Sequence, residues 1–421
     1  MPDTALVIGA GITGISAACS LRRDGWRVTV IDRVAPGDPA QTSFGNAGLL
    51  ARSAVVPVSE PGLWARMPRM LLDPSSPLFL RYAYLPRLLP WLLPFLRNST
   101  PARAARITAQ IAELTCDSVD RHQSLAAGTP AAKYLRTGDY AYVYRSRADY
   151  QSNARTNALK AAQGYAPDYL DRAALEKRFP DLGPAYGFAA LYPDHGWITD
   201  PGAYVAALAR HFTANGGRFL QGEIASVTAG PRPRAILANG ESLEAAKIIL
   251  ATGAWSNPLA RPNGQTARVE SERGYHLSMH DANITPAHPF MVADAQFVVT
   301  PMNGFLRAAG IVEFGGLQAP ASQAPFDLLK KQLKQVFPTL TFARVEKWMG
   351  HRPTLPDSLP AIGESPDAPN IIHAYGGQHI GLTIGPRLGA MVAEIARGRW
   401  NSDTGAYRVG RRGFHPAPDS G

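Results

Sequence analysis

Three glycines and one carboxylate are the first residues in this chain whose spacing implies chemistry. Gly9, Gly11 and Gly14 stand in the order G-x-G-x-x-G, and Asp32 closes the next apolar run. Leu6-Val7-Ile8 leads into the glycines. A helical pattern opens at Ile12 and Thr13 and stops at Gly25, and Val28-Thr29-Val30-Ile31 then reads as a second strand. Strand, tight turn, helix, strand and acid in this order form a dinucleotide-binding βαβ unit. Gly9 permits the turn, Gly11 lets the backbone approach a pyrophosphate, and Gly14 lets the helix close on the strand. The helix N-terminus offers unpaired N–H groups and a positive dipole end to phosphate. Asp32 stands where a carboxylate accepts both ribose hydroxyls of an adenosine.

Two distant stretches point the same way. Lys247–Ala254 is an apolar strand ending in Thr252-Gly253, with Trp255 just beyond, and the carboxyl end of a buried parallel strand is where a ligand meets backbone. Ile371–Ala374 reads as another strand. After it, Gly376-Gly377-Gln378-His379-Ile380-Gly381-Leu382-Thr383 feeds a helix that runs through Ala396, a second helix N-terminus for negative charge. Between them Gly350–Gly363 is dense in Pro and Gly and reads as irregular.

The remaining elements must hold these pieces together. At 421 residues the chain is long enough for two domains, and 45% apolar residues is ordinary for a globular protein. Residues 101–125 and 150–178 look helical, and Asp139–Tyr144 alternates like a strand. Thr199-Asp200-Pro201 and Asn215-Gly216-Gly217 bracket a helix. Asn239-Gly240 and Asn303-Gly304 each separate two strand-like runs, the signature of a hairpin. Cofactor-site signals recur in three separate places, so the expected fold is α/β: a discontinuous Rossmann-like cofactor domain with an inserted α+β domain built on an antiparallel sheet. The expected pieces are 1–56, 193–265 and 346–410 for the cofactor domain, and 57–192 and 266–345 for the inserted domain, with a disordered tail at 411–421.

Composition narrows the partners. Cys19 and Cys116 are far apart and form no metal or redox motif, which points to a reducing compartment and no disulfide scaffold. The first strand starts too near Met1 for a signal peptide, so a cytoplasmic location is expected. The net charge of +10 comes mostly from scattered Arg, with no compact run that reads as a nucleic-acid patch. Residues 57–97 are rich in Pro, Leu, Trp and Arg, and prolines 86, 90 and 94 are expected to break any long helix. Interrupted by arginines, this segment is no membrane span. Its apolar load either packs on the protein or lies in a bilayer interface with Trp91 and the arginines at headgroup level.

Taken together, the three glycine-rich pieces resemble the FAD-dependent amino-acid oxidoreductase family, over about residues 4–398. The likeness is strongest to its D-amino acid dehydrogenase branch, in Thr42–Gly48, in Phe95–Thr100 and in the GxRPxxPDxxPxIG pattern of Gly350–Gly363. The resemblance implies that Gly9, Gly11, Ile12, Thr13, Gly14, Asp32 and Arg33 hold the ADP half of FAD. It implies that Ser43, Asn46, Ala47, Gly48 and Leu49 run past the flavin, that Ile224 touches the adenine end, and that Thr252, Gly253 and Trp255 lie along the cofactor. Gly377, Gln378, His379, Ile380, Gly381, Leu382 and Thr383 would face the pyrimidine ring. Gly377-Gln378 departs from the His-Gly usual in the family. Covalently flavinylated members attach the ring through a cysteine in the proline-rich segment; residues 345–365 contain none, so FAD is expected to bind noncovalently.

The activity implied is oxidative deamination of a D-amino acid, or of a small cyclic secondary amino acid such as a D-proline derivative. Hydride leaves the substrate Cα for flavin N5, and the imine is hydrolysed to a 2-oxo acid. Such a site needs a carboxylate anchor, for which the planar fork of Arg is best suited. Arg307, on the strand after Asn303-Gly304, is the first choice; Arg352 is expected to support its loop, with a cofactor contact as the alternative, and is next in line as anchor. Tyr275 is similar to the family's substrate-facing tyrosine, and His276 and His379 are candidate proton acceptors. The expected electron acceptor is a membrane quinone, reached from the inner face of the membrane. The alternatives are a soluble glycine/sarcosine-type oxidase using O2, a nicotinamide-dependent dehydrogenase, which leaves the second and third glycine sites unexplained, and a flavin-binding protein without turnover.

Overall fold

The computed structural model describes residues 3–63, 67, 76–265, 268–400 and 405–411. Its first sheet has six strands in the order Ala361–Ser365, Ala368–Tyr375, Lys247–Leu250, Thr4–Ile8, Arg27–Asp32, Arg218–Gln221. Thr4–Ile8 lies parallel between Lys247–Leu250 and Arg27–Asp32, and only the Ala361–Ser365 edge is antiparallel. The central strands are buried on both faces, which is why they read as continuous apolar runs rather than as alternation.

Two helices converge on this sheet. Ile12–Arg23 packs along Gly381–Ala396 through glycines that allow close approach: a Cβ on Gly389 would sit 2.5 Å from the backbone of Ser16, and one on Gly385 2.8 Å from Ile12. Two helix N-termini from opposite ends of the chain therefore meet at one place. His122 ties this layer together from within, one ring nitrogen on the Tyr204 hydroxyl and the other on the Leu382 carbonyl.

The second sheet follows the order Arg344–Thr354, Glu270–His280, Phe305–Phe314, Phe297–Pro301, Phe290–Val292, Leu135–Tyr144, Phe188–Ile198, Leu49–Leu50. It is antiparallel except where Phe290–Val292 meets Leu135–Tyr144 and where the short strand Leu78–Leu80 joins Phe305–Phe314. Both Asn-Gly hairpins form as expected, the first inside a small three-stranded sheet of Ile224–Thr228, Arg234–Leu237 and Ser242–Glu244.

Several expectations need correction. The boundary placed between 192 and 193 falls inside strand Phe188–Ile198, and that between 345 and 346 inside Arg344–Thr354, because each strand is a continuous rung of the second sheet. Gly350–Thr354 is strand, not irregular chain; it lies on the sheet edge, where the missing N–H of Pro353 costs no ladder bond. Residues 150–178 are not one helical stretch: Gly164 and Pro167 interrupt them, and Asp168–Leu170 is a strand. Prolines 86, 90 and 94 do not prevent a helix, which runs from Leu85 to Arg97. Spaced four apart, they share one face, on which Pro86 and Pro90 are exposed and Pro94 half-buried, and Asn98 Nδ2 donates to the Pro94 carbonyl. Trp91 is not at a headgroup level. It is fully buried, stacks on Phe95 at 4.6 Å and donates to the Thr354 carbonyl, while Leu89 and Leu93 of the same helix are exposed. Within the tail, Arg411 is anchored on Asp357 at 2.6 Å; residues 412–421, and residues 64–66 and 68–75 of the Pro/Leu segment, lie outside the described residues.

Candidate functional site

A cavity of about 360 Å³ opens at the carboxyl ends of the parallel strands. Gly9, Gly11, Ile12 and Thr13 line one side, Asp32 and Arg33 the next, and Thr252, Gly253 and Trp255 the third, with Gly377, Gln378, Gly381 and Leu382 closing it. The local geometry suits a dinucleotide. Gly9 has φ +108°, and a Cβ there would lie 2.4 Å from the Ala251 carbonyl oxygen, so only glycine fits. A Cβ on Gly11 would meet nothing closer than Ser43 Oγ at 3.3 Å, which leaves the turn open to the cavity. Neither converging helix carries an acid in its first turn, so their positive ends are uncancelled.

Asp32 is held rather than merely present. Its Oδ2 accepts from the Ala10 N–H at 2.7 Å and from Gln41 Nε2 at 3.0 Å. Ser43 Oγ accepts from the Ile12 N–H at 3.0 Å, binding the loop after the second strand to the first helix. Arg33 lies over the Trp255 ring at 4.2 Å. Ile224 also lines this cavity, whereas Gly14 and Gly48 do not. Gly14 packs against the Gly9 carbonyl, and Gly48, at φ +78°, against that of Ile198.

A second cavity, about 210 Å³, adjoins the first: Thr42, Asn46 and Gln378 line both. Ala47, Leu49, His379, Ile380 and Thr383 line only the second, together with Arg352, Tyr140, Tyr142 and Trp348. Arg352 is the one Arg or Lys on its wall among the described residues. It lies 3.7 Å from Glu272, and burial draws its guanidinium below the usual value while Glu272 opposes the shift. His379 is exposed into the cavity, and desolvation by the surrounding walls pushes its imidazole down to about 4.

The other sequence-derived catalytic candidates go elsewhere. Arg307 lines neither cavity: it is 3% exposed, and its guanidinium donates to the Phe44 carbonyl at 3.1 Å and the Asn46 carbonyl at 2.7 Å. Arg307 is thus a brace for the Thr42–Leu49 loop. The Tyr275 ring borders the second cavity, but its hydroxyl is committed, donating to Glu313 at 2.5 Å and accepting from the Ser322 N–H. His276 is bonded to the Gly45 carbonyl and stacked on Trp348, and lines neither cavity. The residues that sequence reasoning left out are Gln41, which orients Asp32, and the Tyr140–Tyr142 and Trp348 walls. Only the alternation of Asp139–Tyr144 hinted that these tyrosines share a face.

A dinucleotide cleft with a second, smaller cavity opening onto it defines an oxidoreductase in which substrate meets a bound cofactor. The FAD dependent oxidoreductase family model matches residues 4–395, and the chain belongs to that family. A D-amino-acid oxidase from Bradyrhizobium diazoefficiens is 34% identical over 399 residues, covering 93% of this chain and 94% of that protein. A D-amino acid dehydrogenase from Rhizobium johnstonii is 27% identical over 400 residues, covering 93% and 95%. A glycine oxidase from Bacillus cereus shares the fold at a TM-score of 0.72 and 16% identity, over 98% of this chain and 99% of that one.

Proposed function

We propose that this enzyme oxidises the α-amino group of D-amino acids, or of small cyclic secondary amino acids, with noncovalent FAD in the larger cavity and substrate in the smaller. The observation that carries this is the shared wall of Thr42, Asn46 and Gln378, with Arg352 and His379 on the substrate side. Bound FAD supplies a two-electron acceptor for hydride. The chain supplies position and charge. Arg352 takes the role first assigned to Arg307 and holds the substrate carboxylate with its planar fork. His379, uncharged at neutral pH, accepts a hydrogen bond from the substrate amine, which must be neutral when hydride leaves. Tyr140, Tyr142 and Trp348 surround the side chain. Noncovalent binding is supported by the cysteines: Cys19 is buried in the first helix, Cys116 is exposed, and neither lines a cavity.

The test is anaerobic bleaching of the flavin by a panel of D- and L-amino acids, proline derivatives and sarcosine. The proposal stands if D-amino or cyclic amino acids bleach it, and fails if only L-amino acids do or if none does. Flavin retained by denatured, filtered polypeptide would refute the noncovalent assignment.

For the electron acceptor we propose a membrane quinone, supported by the exposed Tyr82, Leu89 and Leu93 beside Arg87 and Arg97, an apolar face ringed by positive charge. Among the described residues no helix is long and apolar enough to cross a membrane. The competing reading, O2 as acceptor, is favoured by the D-amino-acid oxidase relative at 34% identity. Turnover with a quinone analogue against peroxide production separates the two.

A further inference from the structure

One buried cation stands just behind the substrate cavity without lining it. Lys160 is 5% exposed, and its ammonium lies 3.5 Å from the centre of the Tyr142 ring and 5.0 Å from that of Tyr192. Tyr142 and Tyr140, packed edge to face at 5.0 Å, form one wall of the cavity, so the ammonium reaches that space through an aromatic ring. Burial pushes its ammonium down to about 7, while the half-buried Glu60 outside the cavity and the tyrosine faces oppose that shift. No Asp or Glu lines the cavity among the described residues. Met291 and Val298 pack beside the tyrosines as apolar wall, and Gln296 is an uncharged polar side chain on the same cavity.

We infer that Lys160 is a specificity-determining residue: held behind Tyr142, it makes the side-chain end of the substrate cavity electropositive and excludes substrates with cationic side chains, leaving uncharged aliphatic and aromatic ones. A substrate ammonium there meets a like charge across a ring and finds no carboxylate to pair with. With Lys160 protonated, like charges about 8 Å apart at an effective dielectric constant of about 20 repel by an amount worth roughly tenfold to thirtyfold in affinity, so the discrimination is full only below about pH 7 and fades above it. An uncharged chain of the same length pays nothing of this kind.

This rests on the D-amino acid reading above, and the test keeps the two apart. The probes are D-norleucine and D-lysine, which differ chiefly by the terminal ammonium. The wild-type enzyme should favour D-norleucine in kcat/KM, and Lys160→Met should shrink that preference by roughly tenfold. Lys160→Arg, which keeps the charge, should restore it. A merely structural role would lower both substrates together and leave their ratio unmoved, which overturns the inference. The second measurement needs no turnover: flavin absorbance titrated with hexanoate and 6-aminohexanoate, which carry the same contrast without an α-amine. If neither D-substrate is oxidised but Lys160→Met still narrows the hexanoate preference, the D-amino acid reading falls and the filter stands. If the preference is unchanged in both assays, the filter falls.

Discussion

Replacing Arg307 separates its two candidate roles, substrate anchor and loop brace. Arg307→Ala removes a buried guanidinium that donates to the Phe44 and Asn46 carbonyls and lies 3.4 Å from Ser278 Oγ. Burial lowers its pKa to about 10, still far above neutral, so these bonds come from a charged donor. Each carbonyl left without a partner costs about 1–3 kcal/mol, so the two together lose roughly 2–6 kcal/mol before any relaxation. For a chain of this size that lowers Tm by roughly 2–7 °C. Thr42, Asn46 and Leu49 stand on the loop so released, and Thr42 and Asn46 line both cavities. FAD affinity should therefore weaken by roughly tenfold or more, about 1.4 kcal/mol. Substrate KM at saturating FAD should change little. Arg307→Lys should fall between, because an ammonium lacks the fork that spans two carbonyls. The assays are thermal melts of the apo and FAD-loaded protein, FAD titration by fluorescence, and steady-state kinetics with excess FAD. An Arg307→Ala enzyme with normal Tm and FAD affinity but a greatly raised KM would refute the brace and return Arg307 to the substrate.

Arg352 should show the opposite pattern. Arg352→Ala raises KM far more than it weakens FAD, and Arg352→Lys recovers only part of the loss. Asp32→Ala should weaken FAD by roughly 1.5–3 kcal/mol, the range for a charged hydrogen-bond acceptor, with kcat preserved at saturating FAD; an unchanged dissociation constant would remove Asp32 from the ribose. Acid should destabilise the fold in a defined window. His122, His195, His351 and His373 are all pushed down to about 4 by burial, so between about pH 6.5 and 4 the unfolded chain binds protons that the folded chain refuses. Stability should be flat above that window and fall as pH drops through it, and melts that are level from pH 7 to 4 would contradict this. Leu89→Asp with Leu93→Asp should abolish sedimentation with anionic liposomes while leaving Tm within a few degrees, since both side chains are exposed.

Much of the lining of the larger cavity was legible in the sequence because its determinants are local. A turn that must approach a ligand needs Gly9 within a few residues of its strand, and the acid must close the next strand, so Gly9, Gly11 and Asp32 carry their roles in their spacing. The two Asn-Gly hairpins were legible for the same reason. Helix Leu85–Arg97 was misread because three prolines weigh heavily along a sequence, while the harmlessness of their shared outer face appears only once the helix is packed. The substrate side lay beyond the sequence for a stronger reason. Arg307 and Arg352 are both arginines on strands of the same sheet, equally suited by type to hold a carboxylate. Which one faces the cavity depends on the sheet's pairing and on the Thr42–Leu49 loop lying over Arg307, contacts more than 250 residues apart in the chain. Spacing can specify a turn, but only the packed sheet decides which of two equivalent cations is spent on backbone and which is left on the cavity wall.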